Sequence, residues 1–148
     1  MSAATVARTR MGEVTTPPEP PFVDEHARSV AATPERTWAA LHDYVEGLTT
    51  SSHGVLFRVL GTVPRSGFEV VESAPPHEIV LAGRHRFSTY RLVFRVDPEG
   101  DASRLRALTY AVFPGPHGWA YRTLLMLSTG HARATRGMLR TVAKRAEG

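Results

Sequence analysis

The chain has 148 residues, 42% hydrophobic and 22% charged, with a formal net charge of +4. Those are the proportions of one ordinary globular domain, large enough to bury a core without staples. The absence of cysteine excludes a disulfide framework, a thiolate nucleophile and cysteine metal sites. No apolar run approaches the ~18 residues of a membrane span, and the N-terminus lacks the apolar centre of a signal peptide, so a cytoplasmic setting is the expectation.

In chain order, Met1 to Pro21 is rich in threonine and proline near its end and predicts a disordered tail (residues 1–21) ahead of one folded domain (22–148). Phe22 to Ala32 predicts a strand whose weak alternation suits a sheet edge. Thr33-Pro34-Glu35 is a strong helix start: a capping hydroxyl, a proline for the first helical position and an acid for the positive end. Trp38, Leu41, His42 and Val45 then recur at helical spacing, and Gly47 is the expected stop. Val55, Leu56, Val59, Leu60 and Val63 fit a second short helix. Four strands follow, over Phe68–Ala74, His77–Gly83, Phe87–Val96 and Ser103–Phe113, separated by Pro75-Pro76, a short link at 84–86 and the hairpin turn Asp97–Asp101. These links are too short for crossovers, so the sheet is antiparallel.

The last stretch, His117 to Glu147, contains no proline and predicts one long helix. At ~100° per residue, Tyr121, Leu124, Leu127, Met138, Leu139 and Val142 share one side, and Arg122, Arg133, Arg136, Arg140 and Lys144 the other. The apolar side carries Ser128, His131 and Thr135 at its middle. Polar groups on the buried face of a long helix, held by a sheet, point to a cavity.

The order of elements is α+β, with helices on one face of a curved antiparallel sheet. The segment VAATPERTWAALHDY, together with the terminal amphipathic helix, resembles the START-like, or SRPBCC, superfamily, in its polyketide cyclase/dehydrase and lipid transport branch. What the resemblance implies is a helix-grip fold, a sheet wrapped around the long C-terminal helix and enclosing a cavity for a hydrophobic ligand. It carries over no catalytic residues.

Candidate cavity residues come from three segments. His131, with Ser128 and Thr135, could hydrogen-bond a ligand or move a proton near neutral pH, or be a satisfied core histidine. If the strand from Phe87 alternates without a bulge, Arg86, Ser88 and Tyr90 face the long helix; a bulge at Gly83 or His85 would send His85 inward instead. On the last strand, Arg106, Leu108, Tyr110 and Val112 share one face and Leu105, Ala107, Thr109, Ala111 and Phe113 the other, and periodicity does not choose the cavity side. Tyr110 and Tyr121 complete the set. Trp38 and Trp119 read as packing residues.

Other chemistries find no support in the pattern. The seven histidines are scattered without an HExxH-type pair, no carboxylate pair has useful spacing, and FPGPHG lacks the spacing of a phosphate loop. No metal and no cofactor is therefore expected. Most of the positive charge is arginine, with Lys144 the one lysine and neither Asn nor Gln present, a codon-bias pattern that weakens the arginine count as a signal. No basic run is interleaved with aromatics, which argues against a nucleic-acid partner. Three functions remain: binding of a small hydrophobic molecule such as a lipid or polyketide; a cyclase or dehydratase in which His131, Tyr90 and Arg86 converge on a poly-carbonyl substrate; and an interaction module using the basic face of the last helix. The sequence leaves the oligomeric state open.

Overall fold

The structure, a computed structural model, describes residues 19–51, 61–127 and 129–148. The predicted tail to residue 18 and the helix predicted over Val55–Leu60 lie outside the described residues. Of that predicted helix, Val63 is described, and it is not helical: it pairs as an isolated bridge with Arg84.

Five strands, β1 (Phe22–Val30), β2 (Glu69–Ala74), β3 (Glu78–His85), β4 (Ser88–Glu99) and β5 (Ala102–Val112), form one antiparallel sheet in the order β1-β5-β4-β3-β2. Helix α1 (Pro34–Thr50) follows β1, and α2 (Gly115–Leu127) and α3 (Gly130–Glu147) close the chain. This is the expected α+β arrangement of a curved sheet gripping C-terminal helices.

Helix α1 starts as its sequence dictates. Thr33 is extended (φ −63°, ψ 157°), and its hydroxyl accepts from the Arg36 amide at 3.4 Å. It does not stop at Gly47. The glycine is exposed, and the hydroxyls of Thr49, Thr50 and Ser51 bond back to the carbonyls of Val45, Glu46 and Gly47, which carries the helix to Thr50. Leu41 and Val45 are buried and Trp38 is half-buried, but His42 is exposed, and Thr37 and Ala40 complete the buried side.

The single long helix is instead two. The Ser-Thr-Gly at residues 128–130 has poor helix propensity, because short hydroxyl side chains compete for the backbone and glycine costs entropy. Thr129 adopts the left-handed conformation at φ 54°. The break rotates the second segment's buried face relative to the first. Leu139 and Val142 are buried as expected, but Leu124 and Leu127 point to solvent, 66% and 78% exposed.

Alternation along the strands sorts residues to the two sides of the sheet. Ile79, Leu81, Leu92, Phe94, Val96, Leu105 and Ala107 face inward and meet Leu41 and Val45 of α1 and Leu139, Val142 and Ala146 of α3. The outer face holds a small cluster, Val80, Val93, Leu108 and Tyr110. Around it run ion pairs: Arg95 to Glu78 (2.6 Å), Arg106 to Glu25 (2.6 Å) and Asp97 (3.3 Å), and Arg91 to Glu19 and Glu72. Such partly exposed pairs are each worth ~0–1 kcal/mol, so they set register more than stability.

One polar contact lies in the core. The hydroxyls of Thr37 and Ser103, both fully buried, are 2.6 Å apart and tie α1 to the start of β5. Thr37→Val strands the Ser103 hydroxyl and is expected to cost about 1–3 kcal/mol. Thr37→Val with Ser103→Ala is expected to recover most of that loss. Urea unfolding of the three proteins checks this, and equal stabilities for single and double variants would count against the assignment.

Candidate ligand cavity

Helix α1 covers only part of the inward face, over the C-terminal end of β4 and the start of β5. At the other end the same alternating positions line a cavity of about 340 Å³. From β4 come Ser88, Tyr90 and Leu92; from β5 come Thr109 and Ala111, with Phe113 just beyond; His85 ends β3. Tyr121, Leu125 and Met126 of α2 and His131, Ala134, Thr135 and Met138 of α3 close it. The volume lies at the small end of the ~300–1,000 Å³ typical of ligand sites.

Of the residues singled out from the sequence, Ser88, Tyr90, Tyr121, His131 and Thr135 line this cavity. Ser128 lies outside the described residues. Arg86 is not in the cavity. β3 and β4 are joined by a two-residue turn, with His85 paired to Ser88, so Arg86 is a turn residue, exposed and packed along Gly61. The tight turn also aims His85 inward without any bulge. Tyr110 is on the opposite side of the sheet, edge-on to Phe22 with ring centroids 5.7 Å apart. On β5 it is the smaller set, Thr109 and Ala111, that faces the cavity.

One wall is aromatic. Tyr121 stacks on Phe87 at 5.5 Å and meets the His85 ring at 4.9 Å, while Phe68 packs edge-on to Tyr90 at 5.3 Å. Gly118 allows α2 to lie this close: a Cβ there would sit 2.6 Å from the Phe113 carbonyl carbon. Gly83 does the same for the segment before β2, since a Cβ would sit 2.2 Å from the Gly67 carbonyl oxygen and 2.7 Å from the Tyr90 ring. Tyr90 donates its hydroxyl to that same carbonyl at 2.5 Å. Burial, with Tyr121 close by, pushes the Tyr90 phenol up to about 12, so it is a neutral donor already committed to the protein. Burial raises Tyr121 as well and holds His85 below its usual value. The Phe87 amide donates to His85 Nδ1 at 3.1 Å, which leaves the proton of the neutral ring on Nε2.

The polar corner is opposite. His131, in the first turn of α3, sets Nε2 3.1 Å from Asp24 Oδ1 and 3.2 Å from the Thr109 hydroxyl. The other Asp24 oxygen meets His26 Nε2 at 3.1 Å. Burial pushes the Asp24 carboxyl up, but hydrogen bonds and charge from His131, with the Thr109 hydroxyl and His26, outweigh it and hold the group below its ordinary value. Thr135 donates to the His131 carbonyl at 3.0 Å, fixing that turn of helix. Asp24 was not visible in the sequence. A register shift between Phe22 and Asp24 turns it toward Thr109, and the pattern FVDEH offers no sign of that irregularity.

Among the described residues, one group has metal-like spacing, His42, Asp43 and Glu46, all exposed on α1 and away from the cavity. Exposed acids at one helical turn are ordinary surface chemistry.

No protein-family model and no curated protein matches the chain. Solved structures do. A conserved protein from Geobacillus kaustophilus superposes with a TM-score of 0.57 at 16% identity, covering 82% of this chain and 93% of that one. A protein from Rhizobium loti gives 0.54 at 21%, covering 82% and 94%. The fold is START-like. A norcoclaurine synthase point mutant from Thalictrum flavum, in complex with a transition-state analogue, gives 0.55 at 14%, covering 84% and 95%. At such identities these START-like likenesses are likenesses of fold.

Asp24→Asn keeps the shape of the corner and removes its charge. Because the folded-state value of Asp24 is depressed, the stability it contributes is present above the ordinary carboxylate value and is lost as pH falls through the depressed one. The stability gap between wild type and Asp24→Asn is therefore expected to be full at pH 7 and to close in acid. Urea midpoints across that range test this, and a gap independent of pH would refute it.

Proposed function

We propose that the protein binds a small, mainly hydrophobic molecule in this cavity, in the size range of a short lipid, polyketide or isoprenoid-like compound. The observation that carries the reading is the division of the inward face. One end is packed solid, and the other leaves a half-open, largely apolar cavity of about 340 Å³ with hydroxyl and imidazole groups at one corner. The apolar walls supply affinity at ~25 cal/mol per Å² buried. Ser88 and the His85 imidazole are the groups available to orient a carbonyl or hydroxyl on the ligand, while the Thr109 hydroxyl is already bonded to His131. Tyr90, already bonded to Gly67, contributes shape more than recognition.

A second reading, an acid–base enzyme of the cyclase or dehydratase type, draws on the contact between His131 and Asp24. A carboxylate on one ring nitrogen fixes the orientation of the imidazole, which a proton-transfer residue needs. The version of this reading that enlisted Arg86 does not survive, because Arg86 is in the turn outside the cavity. The START-like fold accommodates either reading, since fold alone does not set function.

Native mass spectrometry of the purified protein, followed by denaturing extraction, is expected to release a bound molecule of defined mass. Titration with 1-anilinonaphthalene-8-sulfonate is expected to saturate at one site and to weaken by about tenfold or more in Ala111→Trp, which fills the cavity. Tyr90→Phe is expected to change that affinity by less than about twofold. A folded Ala111→Trp that binds the probe like wild type would sink the cavity reading. For the second reading, turnover of poly-carbonyl compounds is expected to fall at least about a hundredfold in both His131→Ala and Asp24→Asn; turnover indifferent to both would remove it.

A further inference from the structure

Helix α2 presents to solvent a face that a soluble surface helix does not ordinarily carry. Trp119 is 65% exposed, Leu124 66% and Leu127 78%, and Met126 at the edge of the face 38%. At ~100° per residue, Trp119, Ala120, Thr123, Leu124 and Leu127 fall within an arc of ~140°. Tyr121, Leu125 and Gly118 lie on the opposite side, and Tyr121 and Leu125 form cavity wall there. The helix is thus apolar on both sides, one turned to the cavity and the other to the outside.

From Ala102 to Ala146 the formal side-chain charges are all positive. Helix α2 carries no acid, and exposed Arg122 and His117 flank the arc. Across the break at Thr129, the first two turns of α3 add exposed Arg133 and Arg136. No Asp or Glu occurs anywhere from Ala102 to Ala146. A second copy of the chain would bring the same cations against these, so self-association through this face meets like charge. An anionic lipid surface meets the apolar residues with hydrocarbon and the arginines with phosphate. Among the described residues no helix is long and apolar enough to cross a membrane. The face is that of a helix lying in the interface plane.

We propose that α2 docks the protein on anionic membrane surfaces, with Trp119, Leu124 and Leu127 entering the headgroup–acyl boundary and Arg122, Arg133 and Arg136 contacting lipid phosphates. The docked helix is also a wall of the cavity, so docking sets the cavity beside the bilayer. The inference stands on the outer face of α2 and does not depend on what the cavity holds.

The test uses the full chain and two vesicle compositions, phosphatidylcholine alone and phosphatidylcholine with phosphatidylglycerol. A Trp38→Phe background, confirmed folded by circular dichroism, leaves Trp119 as the reporter. The expected results are co-sedimentation with the anionic vesicles, a blue shift of Trp119 emission, and at least a several-fold loss of binding when salt is raised well above physiological strength. The triple variant Trp119→Ser, Leu124→Ser and Leu127→Ser, in the native Trp38 chain, changes only exposed side chains and is expected to lose binding by at least about tenfold. Arg133→Glu with Arg136→Glu is expected to lose the preference for anionic vesicles. Absence of vesicle binding, or a triple variant that binds like wild type, overturns the proposal. So does self-association in light scattering, or RNA binding, that the triple variant abolishes without any vesicle binding. None of these readouts uses the cavity ligand, so their failure leaves the cavity reading untouched.

Discussion

The inward face of this sheet is longer than helix α1 can cover, and most of the molecule's character depends on that mismatch. Along β4 the same alternation that sends Phe94 and Val96 into a packed core sends Tyr90 and Ser88 into open space. Along β5 the boundary falls between Ala107 and Thr109, and along α3 around Met138, which touches both regions. Core and cavity are one continuous layer, differing in whether a helix fills the space above it. Stability is concentrated at one end, where Leu41, Phe94, Leu105 and Val142 are essentially inaccessible. The other end is relieved of that task and keeps its cavity.

Polarity in the cavity is arranged with equal economy. Several of its polar groups are engaged by the protein itself: Tyr90 by Gly67, His85 Nδ1 by the Phe87 amide, His131 Nε2 by Asp24 and Thr109. Buried polar groups must be satisfied to be tolerated, and here the satisfaction also fixes orientation. The carboxylate of Asp24 links the edge strand β1 to the first turn of α3 through His131, just past the point where the C-terminal helix breaks. A polar tie suits a place where the backbone changes direction and few apolar side chains meet.

Much of the fold was legible because its signals are local. Thr33-Pro34-Glu35 specified a helix start through capping chemistry, and the alternation of Tyr90, Leu92, Phe94 and Val96 specified a strand with a buried side. Short links fixed the sheet as antiparallel. What escaped were features decided by one residue's backbone. The Ser-Thr-Gly break was hidden because the apolar period runs through it, and with it the outward turn of Trp119, Leu124 and Leu127. A turn two residues long put Arg86 outside and His85 inside, and a register shift beside Asp24 turned a surface-looking acid toward Thr109 and His131. Along the strands an offset of one position moves a side chain to the other side of the sheet, and composition carries no record of it.

The missing side chain at Gly83 has a consequence for any set of related sequences. The chain before β2 crosses β3 within van der Waals contact because nothing projects there, and that crossing holds both Phe68 and the Tyr90 hydroxyl in place. A relative with alanine or anything larger at this position would have to carry that segment outward and release the tyrosine. Its cavity wall would be rearranged, and its phenol would lose the carbonyl partner. One position thus ties the path of the segment before β2 to the orientation of a cavity-wall tyrosine.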